Sequence, residues 1–116
     1  MSNRNHYYLS IADIRSAHGA DPALAWQGAS PDDLAAVLQE ALRGTGLFER
    51  WRAMQPDPDE VDTSLAATDP QATASAKVAD LHVDLDLVTD LPMRVVRPRL
   101  NWLIGSGWQL RDMRAA

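Results

Sequence analysis

Asp80, His82, Asp84 and Asp86 recur at every second position of the chain, so an imidazole is interleaved with carboxylates. In an extended strand such residues share one face at spacings of about 7 Å. A histidine flanked by carboxylates in this way is chemically suited to a divalent cation or to proton transfer. The alternate positions hold Ala79, Leu81, Val83, Leu85 and Leu87. The same period of two is what a sheet with one wet face displays, and ligands in a row along one strand converge on an ion only when others arrive from elsewhere. The expectation is therefore a solvated acidic face between Val78 and Val88 with no catalytic, metal-ligating or cofactor-binding residue. Stacked like charges repel across a sheet, so a basic neighbour is expected; Arg111, Arg94 and Arg97 are the candidates.

The remaining chemistry-bearing residues form weaker sets. Gly105-Ser106-Gly107 follows a helical pattern and leads into a strand, whereas phosphate-cradling glycines lead into a helix N-terminus, so it reads as a helix stop and turn. Ser106 lacks the G-x-S-x-G elbow of a nucleophile. His6-Tyr7-Tyr8 and His18-Gly19-Ala20-Asp21 read as ordinary surface. Cysteine is absent, which removes disulfides, thiolate metal sites and thiol nucleophiles. The chain has four tryptophans, a residue type enriched in cores and at interface hot spots. Trp26, Trp51 and Trp108 are expected in the core. Trp102 falls off the neighbouring apolar stripe and is expected to form an exposed partner-contact patch with Val95 and Ile104 beside Arg99.

These residues need a scaffold. Tyr7 to Ile14 alternates as a strand with one apolar face. Ser16 to Gly28 has no sustained period and reads as a loop. Ser30-Pro31-Asp32-Asp33 combines a serine cap, a proline at the first helical position and an acidic residue at the third. Leu34, Val37, Leu38, Ala41 and Leu42 then continue a helical stripe that Gly44 ends. Leu47, Phe48, Trp51 and Met54 repeat that spacing as a short second helix. Residues 55–77 are rich in Pro, Asp, Ala, Thr and Ser and read as a mobile loop or linker, with room for a short element near Ser64 to Ala67. The strand from Val78 follows, then a helix opening at Pro92 with Met93, Val96, Leu100 and Leu103 on one stripe, kinked or restarted at Pro98. Trp108 to Arg114 closes the chain as a strand, with Trp108 and Leu110 on one face and Gln109, Arg111 and Met113 on the other.

The order resembles, in topology alone, a ferredoxin-like β-α-β-β-α-β plait, or a variant lacking one strand. The expected fold is an α+β two-layer sandwich with helices on one face of a small, mostly antiparallel sheet, formed by residues 1–116 as a single domain. Fold analogy of this kind implies no activity. With 116 residues, a formal net charge of −5 and no apolar run of membrane length, general nucleic-acid binding and a membrane span are disfavoured. The polar start, together with arginine and alanine bias, points to a cytoplasmic protein of bacterial origin. The leading expectation is a non-enzymatic protein–protein interaction or assembly module, homo-oligomeric through a sheet edge or a helix face. Its surface would include Asp80, His82, Asp84, Asp86, Arg99 and Trp102. Two rivals stand beside it: a small ligand-binding or enzymatic domain using the acidic face around His82, and a virion or secretion assembly component or inhibitor docking on a basic partner.

Overall fold

The computed structural model describes residues 4–116. Period-two apolar patterning produces the first strand, β1 (Asn5–Ile11), in which Tyr7, Leu9 and Ile11 are buried. The helix cap forms as its residues require: the Ser30 hydroxyl accepts from the Asp33 amide at 3.1 Å, and α1 runs Pro31–Arg43. Its Leu34, Leu38 and Leu42 are fully enclosed, each contributing about 1.5–3 kcal/mol relative to exposure. Helix α2 (Gly46–Ala53) buries Leu47 and Phe48.

Two short 3-10 turns, Pro58–Glu60 and Thr63–Ala66, lead to β2 (Thr73–Ala79), which pairs with β3 (His82–Thr89). Helix α3 (Met93–Ile104) and strand β4 (Trp108–Ala115) complete the chain. All pairings are antiparallel and the strand order is β2-β3-β1-β4. The described residues thus form an α+β fold with a four-stranded antiparallel sheet and three α-helices.

One core joins these elements. Tyr7, Leu9 and Ile11 of β1 and Val83, Leu85 and Leu87 of β3 cluster with Leu34, Leu38 and Leu42 of α1 and Val96, Leu100 and Leu103 of α3. The N-terminal loop is anchored to the same core. Trp26 is buried and its indole donates to the Ala17 carbonyl at 2.6 Å, while the amides of Gly19 and Trp26 both donate to the Leu103 carbonyl. Gly19 is required there, because a Cβ would stand 2.0 Å from the Trp102 carbonyl oxygen.

Asp69 ties the 55–77 region to the sheet. Its buried carboxylate accepts both terminal nitrogens of Arg4 at 2.9 Å, the Thr89 hydroxyl at 2.9 Å, and the amides of Gln71 and Asp90. Burial alone would raise its pKa; the bonds from Arg4, Asp90, Gln71 and Thr89 outweigh it and hold the group below the ordinary carboxylate value.

Several expectations need correction. Residues 73–77, read as linker, belong to β2. The strand expected from Val78 is instead the end of β2, a turn at Asp80-Leu81 with Asp80 at φ 56°, and β3. Partners across an antiparallel pair share a face, and Val78 opposes Val83, so inward positions are even-numbered in β2 and odd-numbered in β3. Ala79 therefore opposes His82 on the outer face, and Leu81 sits exposed at the turn.

Helix α3 continues unbroken through Pro98. The β4 faces also differ from expectation. The register shifts between Tyr8 and Leu9, so Leu110 opposes Leu9 while Asp112 opposes Tyr8. Arg111 is the extra residue of this bulge, and it turns Met113 to the same side as Leu110.

Candidate functional site

The second face of the sheet lies opposite the core and carries three of the four residues of the acidic pattern. His82, Asp84 and Asp86 alternate on β3 between the buried Val83, Leu85 and Leu87. Pairing brings Tyr8 opposite Asp86 and Ser10 opposite Asp84 from β1, and Lys77 opposite Asp84 from β2. The His82 Nε2 and Asp84 Oδ1 atoms are 3.0 Å apart, and His6 Nε2 approaches Asp86 Oδ1 at 3.8 Å. His6 also stacks on Tyr8 at 4.0 Å between ring centres.

Three of the four acidic-strand residues are therefore together, whereas Asp80 lies in the β2–β3 turn. Each is partly open to water, at 38–41% for the His82, Asp84 and Asp86 side chains. A histidine pair so exposed is a weak, screened interaction. No group of three or more metal-capable side chains converges among the described residues.

Of the three expected basic neighbours, Arg111 reaches the outer face beside Ser10, whereas Arg94 and Arg97 do not. Arg111 donates from Nε to the Ser10 hydroxyl at 2.9 Å. Arg94 bonds Ser64 on the far side of the molecule, and Arg97 lies over the Trp108 ring. Lys77, the residue that does oppose Asp84, sat in the segment read as linker, so its position on the sheet was hidden.

Two surface clefts adjoin His82. One, of about 410 Å³, is lined by residues including Ser10, His82, Ser106, Trp108 and Arg111. The other, of about 540 Å³, is lined by residues including Arg15, Asp80, Leu81 and His82. Asp84 and Asp86 border neither, so the imidazole and both carboxylates do not share a pocket. Gly105 is the C-cap of α3 at φ 74°, and its amide donates to Asn101, in keeping with a helix stop.

The expected Arg99 and Trp102 patch is not exposed. Val95, Arg99 and Ile104 are all enclosed, and Trp102 packs on the core with its ring stacked 4.8 Å from Trp51. Trp102 lay off the α3 stripe because that stripe was drawn for one packing partner, whereas α2 and the Thr63–Ala66 turn cover additional flanks of α3. Arg99 reaches this turn and donates from Nη2 to the Leu65 and Ala67 carbonyls. Its Nε and Nη1 are buried without partners among the described residues, and burial pushes its pKa down.

The sequence reading missed the free edge at β4. Leu110 and Met113 are exposed at 40% and 52% although they share a sheet side with the core residues Leu9 and Tyr7. Beside them Arg114 Nε donates to Asp112 Oδ2 at 2.8 Å, and the Met113 amide donates to Asp112 Oδ1 at 2.8 Å. The bonds from Arg114 and from that amide lower the Asp112 pKa. The strand itself was legible; the bulge that brings two apolar side chains to one side was not.

No helix is long and apolar enough to cross a membrane among the described residues. In comparisons with known proteins, no family profile, no curated protein and no solved structure matches the chain.

Proposed function

We propose that this chain is a non-enzymatic protein–protein interaction or assembly module built on a ferredoxin-like plait. The strand order β2-β3-β1-β4 supports the plait, as do the connections: α1 and α2 between β1 and β2, a two-residue turn between β2 and β3, and α3 between β3 and β4. Helix side chains pack with the Tyr7, Leu9, Val83 and Leu85 side of the sheet, as expected of a two-layer sandwich.

The observation that carries the function is the β4 edge. A strand with one edge unpaired is a template for another chain, and this one also presents Leu110 and Met113 to water. Removal of that apolar surface on association is favourable. Light scattering on the purified protein across a wide concentration range tests the reading. The expected result is a mass above the 12.8 kDa of one chain or a co-purified protein in fixed proportion. A lone monomer at every concentration counts against it.

A second reading rests on the cleft of about 410 Å³ where Ser10, His82 and Arg111 meet. An imidazole and a guanidinium at one cleft suit a small anionic ligand. Chemical shifts of His82 that respond to a panel of small carboxylates and phosphates would favour it over the interaction module.

A further inference from the structure

We infer that two copies of this chain pair antiparallel through their β4 edges, with Met113 on the two-fold axis and Asp112 of each copy facing Arg114 of the other. The inference rests on the interaction-module reading and specifies its partner as a second copy.

The backbone sets which groups are available. The Ala116 amide donates to the Arg4 carbonyl, and Asp112 and Arg114 oppose Tyr8 and His6. In an antiparallel ladder successive residues turn their backbone groups to opposite edges. Residues 112, 114 and 116 therefore address β1, and Met113 and Ala115 address the free edge. The Met113 amide accordingly finds only the Asp112 side chain.

The other sheet edge is better occupied. On β2, the Ala74 amide donates to the Gln39 side chain of α1 at 3.1 Å, and Lys77 interrupts the strand, as charged residues do at protected edges.

Charge then selects the register. Centring the axis on Met113 makes residue 113 a hydrogen-bonded pair with its own copy. It also places Asp112 and Arg114 in the neighbouring non-hydrogen-bonded pairs, where side chains approach most closely. Sliding one way sets Asp112 against Asp112, and sliding the other way sets Arg114 against Arg114. Only the central register alternates the signs, giving a square of four charges in which each carboxylate has an arginine on its own strand and another across the axis.

On pairing, the Met113 amide exchanges the Asp112 oxygen for a carbonyl of the second copy, and that oxygen is released toward the facing Arg114. Met113 and its copy come side by side, covering apolar surface now open to water. Two four-stranded sheets become one continuous sheet.

Because the chain has no cysteine, Met113→Cys introduces a single thiol, and the Cα atoms of a hydrogen-bonded pair, about 5.5 Å apart, lie within disulfide range. Mild oxidation is expected to give a reducible dimer, whereas Ser75→Cys on β2 is expected to remain monomeric on denaturing gels. Asp112→Arg and Arg114→Asp are each expected to weaken the dimer about tenfold in sedimentation velocity, and the double exchange to restore it. These side chains are exposed, so unchanged circular dichroism will accompany the variants.

A wild-type protein that associates while Met113→Cys fails to cross-link and the charge variants behave alike overturns the edge and register but leaves the module reading standing. A wild-type monomer at all concentrations, with no cross-link, overturns the dimer itself. The module reading then falls only if no other protein is bound in fixed proportion.

Discussion

Replacing Asp69 by asparagine removes one charge and almost no volume, yet it should destabilise the fold strongly. The carboxylate receives five hydrogen bonds, two from Arg4 and one each from Gln71, Thr89 and Asp90, and is 3% exposed. An asparagine keeps one acceptor oxygen and turns an NH₂ group toward donors, whichever way it is flipped. Hydrogen bonds involving a charged partner contribute about 1.5–3 kcal/mol each, but Arg4 is partly exposed and recovers water when released. The net loss is therefore expected to be about 3 kcal/mol, or roughly 10 °C in melting temperature for a domain of this size.

Urea unfolding of wild type and Asp69→Asn at pH 7 measures it. The same pair examined against pH gives a second readout. Because the folded pKa is depressed, the Asp69 contribution is present above the unfolded value of about 3.9 and is lost as pH falls through the lower folded value. The gap between the two proteins should close in that acid window. A difference within about 0.5 kcal/mol at pH 7, or one that does not narrow in acid, would refute the assignment of Asp69 as the anchor of the 55–77 region.

Four further outcomes follow from particular surroundings. Gly19→Ala should cost about 3 kcal/mol by driving a methyl into the Trp102 carbonyl and parting the loop from α3. Gly107→Ala, with nothing within 4 Å, should be neutral or stabilising by about 0.5 kcal/mol; both are read from urea midpoints. Arg99→Met loses the bonds to Leu65 and Ala67 but also removes two unpartnered buried donors. Global stability should stay within about 1 kcal/mol while limited proteolysis near Thr63–Ala66 accelerates, and a loss of several kcal/mol would contradict this. His82→Ala should change stability by less than about 1 kcal/mol, since its pairing with Asp84 is open to water; thermal melts check this.

What was legible in the chain followed from local physics. The Ser30 cap, the α1 stripe and the outward set of His82, Asp84 and Asp86 each depend on residues close together in sequence. The β2–β3 turn was hidden because a two-residue connection lets alternating character run on across it, and Leu81 continued the apolar series although it is exposed. β2 itself, Thr-Ala-Ser-Ala-Lys-Val-Ala, is an edge strand of small residues with little apolar contrast, so its place depends on pairing with β3 rather than on its own pattern. The burial of Arg99 depends on a turn more than thirty residues away in sequence. The β4 bulge, which decides where Met113 points, is a property of its pairing with β1.

Amide exchange at the free edge of β4, followed residue by residue as the protein is concentrated, tests most directly whether this sheet is built to associate. Association predicts that the Met113 and Ala115 amides slow progressively with concentration while Ala74 on the opposite edge exchanges at a constant rate. Met113 and Ala115 amides that exchange equally fast in dilute and concentrated solution would contradict it.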